Sequence, residues 1–181
     1  MFPGRSFTVA IGIDGINIVG TSVIEFQQRG FLYNGLTFTD IIYPSASITI
    51  PLGIDGSNIV GTASVPGPIE KSFIYNGTTF TDIVYPSADA NGTIVSGIDD
   101  SNIVGTAIIG GVISGFIYDG SNFADIKYPG ASQTQALGIN GINIVGLAFV
   151  GGASRGFLYD GSTFTDIIYP GATSTIALGI G

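Results

Sequence analysis

Short apolar segments alternate with pairs of turn-forming residues along the chain, and the whole pattern recurs four times. Gly, Asn, Asp or Pro interrupts stretches of β-branched and aromatic residues about every ten positions, which is typical of antiparallel strands and leaves no room for a helix. The motif Phe-Leu/Ile-Tyr-Asn/Asp-Gly marks each repeat and begins at Phe31, Phe73, Phe116 and Phe157. These spacings of 42, 43 and 41 residues predict a tandem repeat protein.

Each repeat is predicted to hold four strands, which we name A to D in chain order. In the first repeat they cover residues 9–13, 17–20, 31–33 and 37–43. The Asn-Gly or Asp-Gly pair between strands C and D is expected to form a type I′ turn, because these residues tolerate positive φ. A proline ends strand D of every repeat, since proline cannot donate to a β-ladder; these are Pro44, Pro86, Pro129 and Pro170.

A four-stranded meander that is apolar on both faces must pack against neighbours. We therefore predict an all-β fold, a four-bladed β-propeller of four-stranded antiparallel meander blades. A β-solenoid is the alternative, although neither end shows the polar capping repeat that a solenoid needs. A partial ring completed by another chain is the third arrangement. The chain is expected to form a single repeat domain, 1–181, with repeats at about 1–44, 45–86, 87–129 and 130–170.

The last segment, 171–181, duplicates strand A. Residues 2–13 align without a gap on residues 169–180, so two copies of strand A claim one position if four blades close. One strand could displace the other, add an edge strand or exchange into a second chain, and a ring of more blades from several chains would also resolve the conflict. The sequence favours closure within one chain, with a homo-oligomer formed through the duplicated strand as the alternative.

Charge and composition narrow the range of partners and activities. The net charge is −8, and the five basic residues are scattered, which argues against nucleic acid and anionic membranes as partners. The sequence has no Cys and no His, so it lacks a thiolate nucleophile, the usual general base and the usual transition-metal ligand. We expect a protein that is not an enzyme and needs no organic cofactor.

The repeats resemble a known bacterial family. Residues 156–180 contain Gly-Phe-Leu-Tyr-Asp-Gly and Tyr-Pro-Gly-Ala, and residues 138–146 contain Gly-Ile-Asn-Gly followed by Asn-Ile-Val-Gly. In order and spacing these motifs are similar to the extracellular repeats called the HAF family, over essentially the whole chain. The His that precedes the Phe in that family is absent here, as Arg29, Lys71, Ser114 and Arg155 open the corresponding tripeptides. The resemblance implies a secreted or cell-surface setting and no particular activity.

Two sets of acidic residues recur once in each repeat. The first set stands at the turn between strands A and B, where a ring of oxygens could hold Ca²⁺; it consists of Asp14, Asp55, Asp99 and Asn140. Turn formation by Asp and Asn already explains these residues and is the favoured interpretation. The second set lies on strand D and is interpreted as solvated edge charge; it consists of Asp40, Asp82, Asp125 and Asp166.

Aromatic side chains also recur at fixed positions. The tyrosines of strand C and the phenylalanines of strand D could offer sugar-stacking platforms between blades, although such rows more often belong to the core. They are Tyr33, Tyr75, Tyr118 and Tyr159, with Phe38, Phe80, Phe123 and Phe164.

The connection between strands B and C differs most among the repeats. In the first repeat it contains Phe26, Gln27, Gln28 and Arg29, the candidate ligand-binding residues, because binding residues concentrate on loops of rigid scaffolds. Drift of an unconstrained loop explains the same variation. We expect a non-enzymatic extracellular binding or adhesion module that is lectin-like, with a glycan or a surface protein as partner. A structural self-assembly module is the alternative.

Overall fold

The computed structural model describes residues 7–25, 27–67 and 69–181, and every regular element within them is a β-strand. No helix that could cross a membrane occurs in these ranges. The strands are β1 (Phe7–Asp14), β2 (Asn17–Ile24), β3 (Gln27–Tyr33), β4 (Phe38–Ile41), β5 (Ile48–Asp55), β6 (Asn58–Val65), β7 (Ile69–Tyr75), β8 (Phe80–Asp82), β9 (Thr93–Asp99), β10 (Asn102–Ile109), β11 (Val112–Tyr118), β12 (Phe123–Ile126), β13 (Gln133–Asn140), β14 (Asn143–Val150), β15 (Ala153–Tyr159) and β16 (Phe164–Ile167).

Each repeat folds as one antiparallel meander in the order A, B, C, D, which confirms the predicted all-β class and strand order. The chain divides into two compact units, residues 1–84 and 85–181, which we call the N-terminal and C-terminal halves. In the N-terminal half the meanders β1–β4 and β5–β8 join into one sheet through a parallel pairing of Gln28 with Ile48. The C-terminal half contains two four-stranded sheets, β9–β12 and β13–β16.

Strands B and C are longer than predicted, and this overturns the prediction that a loop joins them. In the first repeat β2 continues to Ile24 and β3 begins at Gln27, with Ile24 paired to Gln27. Strand D is shorter than predicted and ends at Ile41. Beyond Ile41 the chain turns out of the sheet. There the amide of Tyr43 donates to the side chain of Thr49, at 3.1 Å from Oγ1.

The turn between strands C and D is not the predicted type I′ turn, which needs positive φ at both central residues. Gly35 has a φ of 89°, whereas Asn34 is not among the described residues with positive φ. Asn34 Oδ1 instead accepts the amide protons of Leu36 at 3.0 Å and Thr37 at 2.8 Å. The connection therefore spans four residues and is held by an Asx-type side chain.

Glycine on strand B permits an unusually close approach of strand A. In the third repeat the register shifts between Val104 and Gly105, which marks a β-bulge in the β9–β10 pair. A Cβ added at Gly105 would lie 2.2 Å from the carbonyl oxygen of Ile94 and 2.7 Å from Cζ of Phe116. The close approach that glycine permits here therefore lies within a single meander.

Consecutive repeats share a hydrophobic core within each half. In the N-terminal half Val19 and Ile41 of the first repeat pack with Ile54 and Ile59 of the second. In the C-terminal half, residues of the third and fourth repeats form the corresponding cluster, which comprises Val104, Ile126, Ala136, Ile139, Ile144, Ala148 and Phe157. Within each half, one face of each meander is thus buried against the neighbouring repeat.

The sheets are not closed into a ring by strand pairing. Among the described residues β1 pairs with β2 alone, and residues 173–181 join no sheet. Several apolar side chains of β1 are exposed, and Ile13 is 68 % accessible to solvent. Closure within one chain is therefore not observed, and the blade count of four stays a prediction.

We predict that Gly105→Ala lowers the free energy of unfolding by about 3 kcal/mol, because the new methyl group would overlap the backbone of strand A. Gly97→Ala in the adjacent strand is the matched control, since its Cβ would meet its nearest neighbours at 3.5 Å, an ordinary contact. Urea denaturation measures both variants. Equal losses in the two variants would contradict the proposed close approach.

Candidate functional site

The tyrosine that precedes the proline of one repeat reaches the aspartate on strand D of the next repeat. Tyr43 Oη donates to Asp82 Oδ1 at 2.5 Å, and Tyr85 Oη donates to Asp125 Oδ1 at 2.5 Å. Tyr128 Oη makes the same hydrogen bond to Asp166 Oδ1. These contacts join residues about 40 positions apart in sequence, and within each half they fix one meander against its neighbour.

A cation contacts the second carboxylate oxygen of each of these aspartates. Lys71 Nζ lies 2.7 Å from Asp82 Oδ2, and in the fourth repeat Arg155 Nη1 lies 2.9 Å from Asp166 Oδ2. In the third repeat the cation is Lys127 instead. These aspartates are exposed and lie on the edge strand of their sheets, as predicted, and the structure adds that each is paired with a tyrosine and a cation. The signal available in the sequence was the constant spacing of the Tyr-Pro pair and this aspartate.

The paired groups shift one another's pKa values in opposite directions. Burial and the hydrogen bond to Asp82 raise the pKa of Tyr43 to about 12. Burial acts to raise the pKa of Asp82, but the hydrogen bonds from Lys71 and Tyr43 outweigh it and lower the pKa. The hydrogen bond to Asp125 likewise raises the pKa of Tyr85. Each pair is therefore held as a neutral phenol donating to a carboxylate.

Aromatic rings of the repeat contact each other around this hydrogen bond. The Tyr43 ring lies with its centroid 5.7 Å from that of Phe73 and 5.3 Å from that of Phe80. Tyr75 stacks on Phe80 at 4.4 Å, and its hydroxyl donates to the carbonyl of Gly77 at 2.7 Å. The aromatic rows thus contribute to packing and to fastening the turn between strands C and D.

A cleft of about 350 Å³ opens between the third and fourth repeats, inside the C-terminal half. Its lining includes Asn102, Tyr159 and the apolar Ile117 and Ile142. Asp125 also borders the cleft, but strand alternation turns its side chain to the opposite face, where its carboxylate bonds Tyr85. The tyrosine row is visible in the sequence, whereas its proximity to Asn102 is not, because the two residues belong to different strands and to two repeats.

The candidate ligand-binding residues of the first repeat lie elsewhere. Phe26 falls outside the described residues. Gln27, Gln28 and Arg29 lie on β3, where Gln28 Nε2 donates to Thr21 Oγ1 at 2.9 Å. Arg29 Nη2 donates to Gln27 Oε1 at 2.8 Å, and Nη1 lies 3.8 Å from Asp40 Oδ2. These polar groups bond within their own sheet, and a binding role for them stays a prediction.

Two aspartates at the turn between strands A and B accept hydrogen bonds from the same turn of the next repeat. Asp14 Oδ2 accepts the amide proton of Gly56 at 2.8 Å, and Asp99 Oδ2 accepts that of Gly141 at 2.8 Å. Within the described part of the chain, His, Cys, Asp and Glu form no group of three or more that could hold a metal. These hydrogen bonds give Asp14 and Asp99 a structural role between the turns of consecutive repeats, and a role of this set in forming its own turns stays a prediction.

Calcium binding by Asp14, Asp55, Asp99 and Asn140 stays a prediction with a direct check. A bound cation stabilises the folded state by mass action, so added calcium should raise the melting temperature and a chelator should lower it. Thermal melts at constant ionic strength measure this. An unchanged melting temperature under both conditions would exclude the site.

Solved β-propellers are similar in structure to the chain. The β-propeller domain of the Trilobed protease from Pyrococcus furiosus, which has an open velcro topology, superposes with a TM-score of 0.66 at 16 % identity over 93 % of this chain. The acylaminoacyl peptidase of Pyrococcus horikoshii gives a TM-score of 0.63 at 16 % identity over 92 % of this chain. The Aleuria aurantia lectin in complex with Fucα1-6GlcNAc gives 0.50 at 14 % identity over 91 % of this chain.

These similarities concern the fold, which is of the β-propeller kind. The chain spans 53 % of the protease propeller, 28 % of the peptidase and 61 % of the lectin. No protein-family profile matches the sequence, and no curated protein is similar to it.

We predict that Tyr43→Phe costs about 1 kcal/mol at neutral pH, since it removes a partly exposed hydrogen bond to a charged group. The contribution of a raised tyrosine pKa is complete below the unfolded value of about 10 and is lost as the pH rises through the folded value. The difference in free energy of unfolding between wild type and variant should therefore shrink from about pH 8 to about pH 11.5. Urea titrations at both pH values measure it, and a constant difference would contradict the assignment.

Proposed function

We propose that the chain is a non-enzymatic extracellular binding module that takes a saccharide in the cleft between consecutive repeats. The observation that carries the proposal is the cleft between the third and fourth repeats, where Asn102 and Tyr159 line an otherwise largely apolar cavity. Its volume of about 350 Å³ lies at the lower end of the range of small-molecule sites. A single sugar ring is a ligand of suitable size.

The lining groups match the two kinds of surface that a sugar presents. Isoleucine side chains and the Tyr159 ring offer apolar contact to C–H groups. Asn102 carries both donors and an acceptor, so its amide can bond sugar hydroxyls of either polarity.

The aspartates support a binding role over catalysis. Glycoside hydrolysis needs two carboxyl groups whose environments drive their pKa values apart. Here the tyrosine and cation hydrogen bonds lower the pKa of Asp82, Asp125 and Asp166 alike. A carboxyl group held ionised in this way is a poor general acid. The lack of His and Cys in the sequence is consistent with the same conclusion.

Two further observations are consistent with the proposal, although the proposal does not depend on them. The lectin with a similar fold was solved with Fucα1-6GlcNAc, and at 14 % identity its ligand does not transfer to this chain. The extracellular setting rests on the resemblance of the repeats to the HAF family. A second candidate function, structural self-assembly, is favoured by the exposed apolar side chains of β1 and of the last segment.

We predict that a glycan array containing fucosylated ligands detects binding by the intact chain. Asn102→Ala should then weaken the strongest hit about tenfold, because one neutral hydrogen bond is lost. Asn143→Ala is the matched control, as it holds the same position in the fourth repeat and does not line this cleft. Isothermal titration with the array hit measures both variants.

Thermal melting should show that both asparagine variants remain folded. A silent array with a folded protein would contradict saccharide binding. Equal weakening by Asn102→Ala and Asn143→Ala would contradict the assignment to this cleft.

A further inference from the structure

Ile142 lines the cleft between the third and fourth repeats but takes no part in the core beneath it. It belongs to the turn between β13 and β14, and 71 % of it is accessible to solvent. Three other lining residues, Ile117, Ile144 and Tyr159, belong to or pack against the hydrophobic cluster of the C-terminal half. Ile142 is not a member of that cluster. Single exposed isoleucines are common on proteins, and this one is distinguished by its place in the wall of a cleft.

The exposure of Ile142 is a property of its position in the turn. Ile16 holds the same position in the first repeat and is 72 % accessible, although the second repeat follows it within the same half. Ile142 has the third repeat before it in its own half and is equally exposed. A neighbouring repeat on either side therefore leaves this side chain in water.

The backbone around Ile142 is held in place by both neighbouring turns. The amide of Gly141 donates to Asp99 Oδ2 of the third repeat at 2.8 Å. A Cβ added at Gly161 would lie 3.9 Å from Cβ of Ile142, so the side chain stands beside the turn between strands C and D of its own repeat. A wall that is fixed before a ligand arrives lowers the entropic cost of binding.

The fold does not require isoleucine at this position. Serine stands there in the second and third repeats, as Ser57 and Ser101, and both are exposed. In the second repeat the turn keeps its hydrogen bond to the preceding repeat, because the amide of Gly56 donates to Asp14 Oδ2 at 2.8 Å. Isoleucine at 142 therefore adds an apolar wall that the turn itself does not need.

An apolar side chain at this place changes which sugar the cleft favours. A methyl group on the sugar would cover Ile142 and remove apolar surface of both from water. A hydroxyl group in the same place would lose water and gain no hydrogen bond from the isoleucine. The amide of Asn102 in the same cleft can bond the hydroxyl groups elsewhere on the ring.

We propose that Ile142 is a specificity-determining residue, and that the cleft selects sugars whose ring carries a methyl group, on a 6-deoxy carbon or in an acetamido group. The inference rests on the proposed function, since it assumes that a saccharide occupies this cleft. It assigns the preference to the side chain of residue 142, whereas Asn102 serves sugars with and without the methyl group alike.

Two pairs of sugars test the preference. L-Rhamnose is compared with L-mannose, which has a hydroxymethyl group in place of the methyl group, and N-acetyl-D-glucosamine with D-glucose, which lacks the acetamido group. Titration of the intact chain followed by NMR gives the four dissociation constants. We expect the methyl-bearing sugar to bind roughly four- to tenfold more tightly in at least one pair, as one methyl group at an apolar site does. The pair that shows the preference identifies the source of the methyl group.

Exchange of the side chain tests the assignment to Ile142. Ile142→Ser should remove the preference by weakening the methyl-bearing sugar alone, and it introduces the residue that the second repeat already has. Ile16→Ser is the matched control, because Ile16 has the same turn position and exposure and belongs to the other half. It should leave all four dissociation constants unchanged. Thermal melting checks that both variants remain folded.

The outcomes separate this inference from the proposed function. Equal affinities within both pairs, for a protein that binds glycans on the array and loses affinity on Asn102→Ala, would overturn the role of Ile142 and leave saccharide binding in place. Equal weakening of both sugars of a pair by Ile142→Ser would also overturn it, as would the same loss of preference in Ile16→Ser. A folded protein that is silent on the array would contradict the proposed function itself.

Discussion

The need to cover both faces of each four-stranded meander is the constraint on which the rest of the structure depends. Strands of every repeat are apolar on both faces, and consecutive repeats meet through shared clusters of buried residues. Within each half, the tyrosine–aspartate hydrogen bond fixes how one meander lies on the next. Charge is sparse, so hydrophobic burial and these few directional contacts provide the specificity. The same constraint leaves the first and last strands with exposed apolar side chains.

Features set by neighbours in the sequence were predictable, since turn residues and a fixed period act locally. The four strands of a repeat, their order and their proline stops follow from such signals. The length of β2 and β3 did not, because polar residues such as Gln27 and Gln28 continue the ladder despite their low β-propensity. The Asx-type connection was missed because Asn-Gly is compatible with several turns, and only the backbone of Asn34 distinguishes them.

The candidate site was harder to predict than the fold. Because the connection between strands B and C varies most among the repeats, the predicted binding residues were Gln27, Gln28 and Arg29. The cleft is instead lined by residues that recur in the repeats. A recurring residue can serve the fold and also line a cleft, as Tyr159 fastens the turn between strands C and D and borders the cleft. No local pattern reveals such a dual role, because the contributing groups come from different strands of two repeats.

A double-mutant cycle across the cluster shared by the first two repeats tests most directly the claim that consecutive repeats cover each other's apolar faces. The account predicts that Val19→Ala in the first repeat and Ile54→Ala in the second each lower the free energy of unfolding, and that the loss in the double variant differs from the sum of the two because both side chains belong to one cluster. Strictly additive losses in urea denaturation would contradict the account.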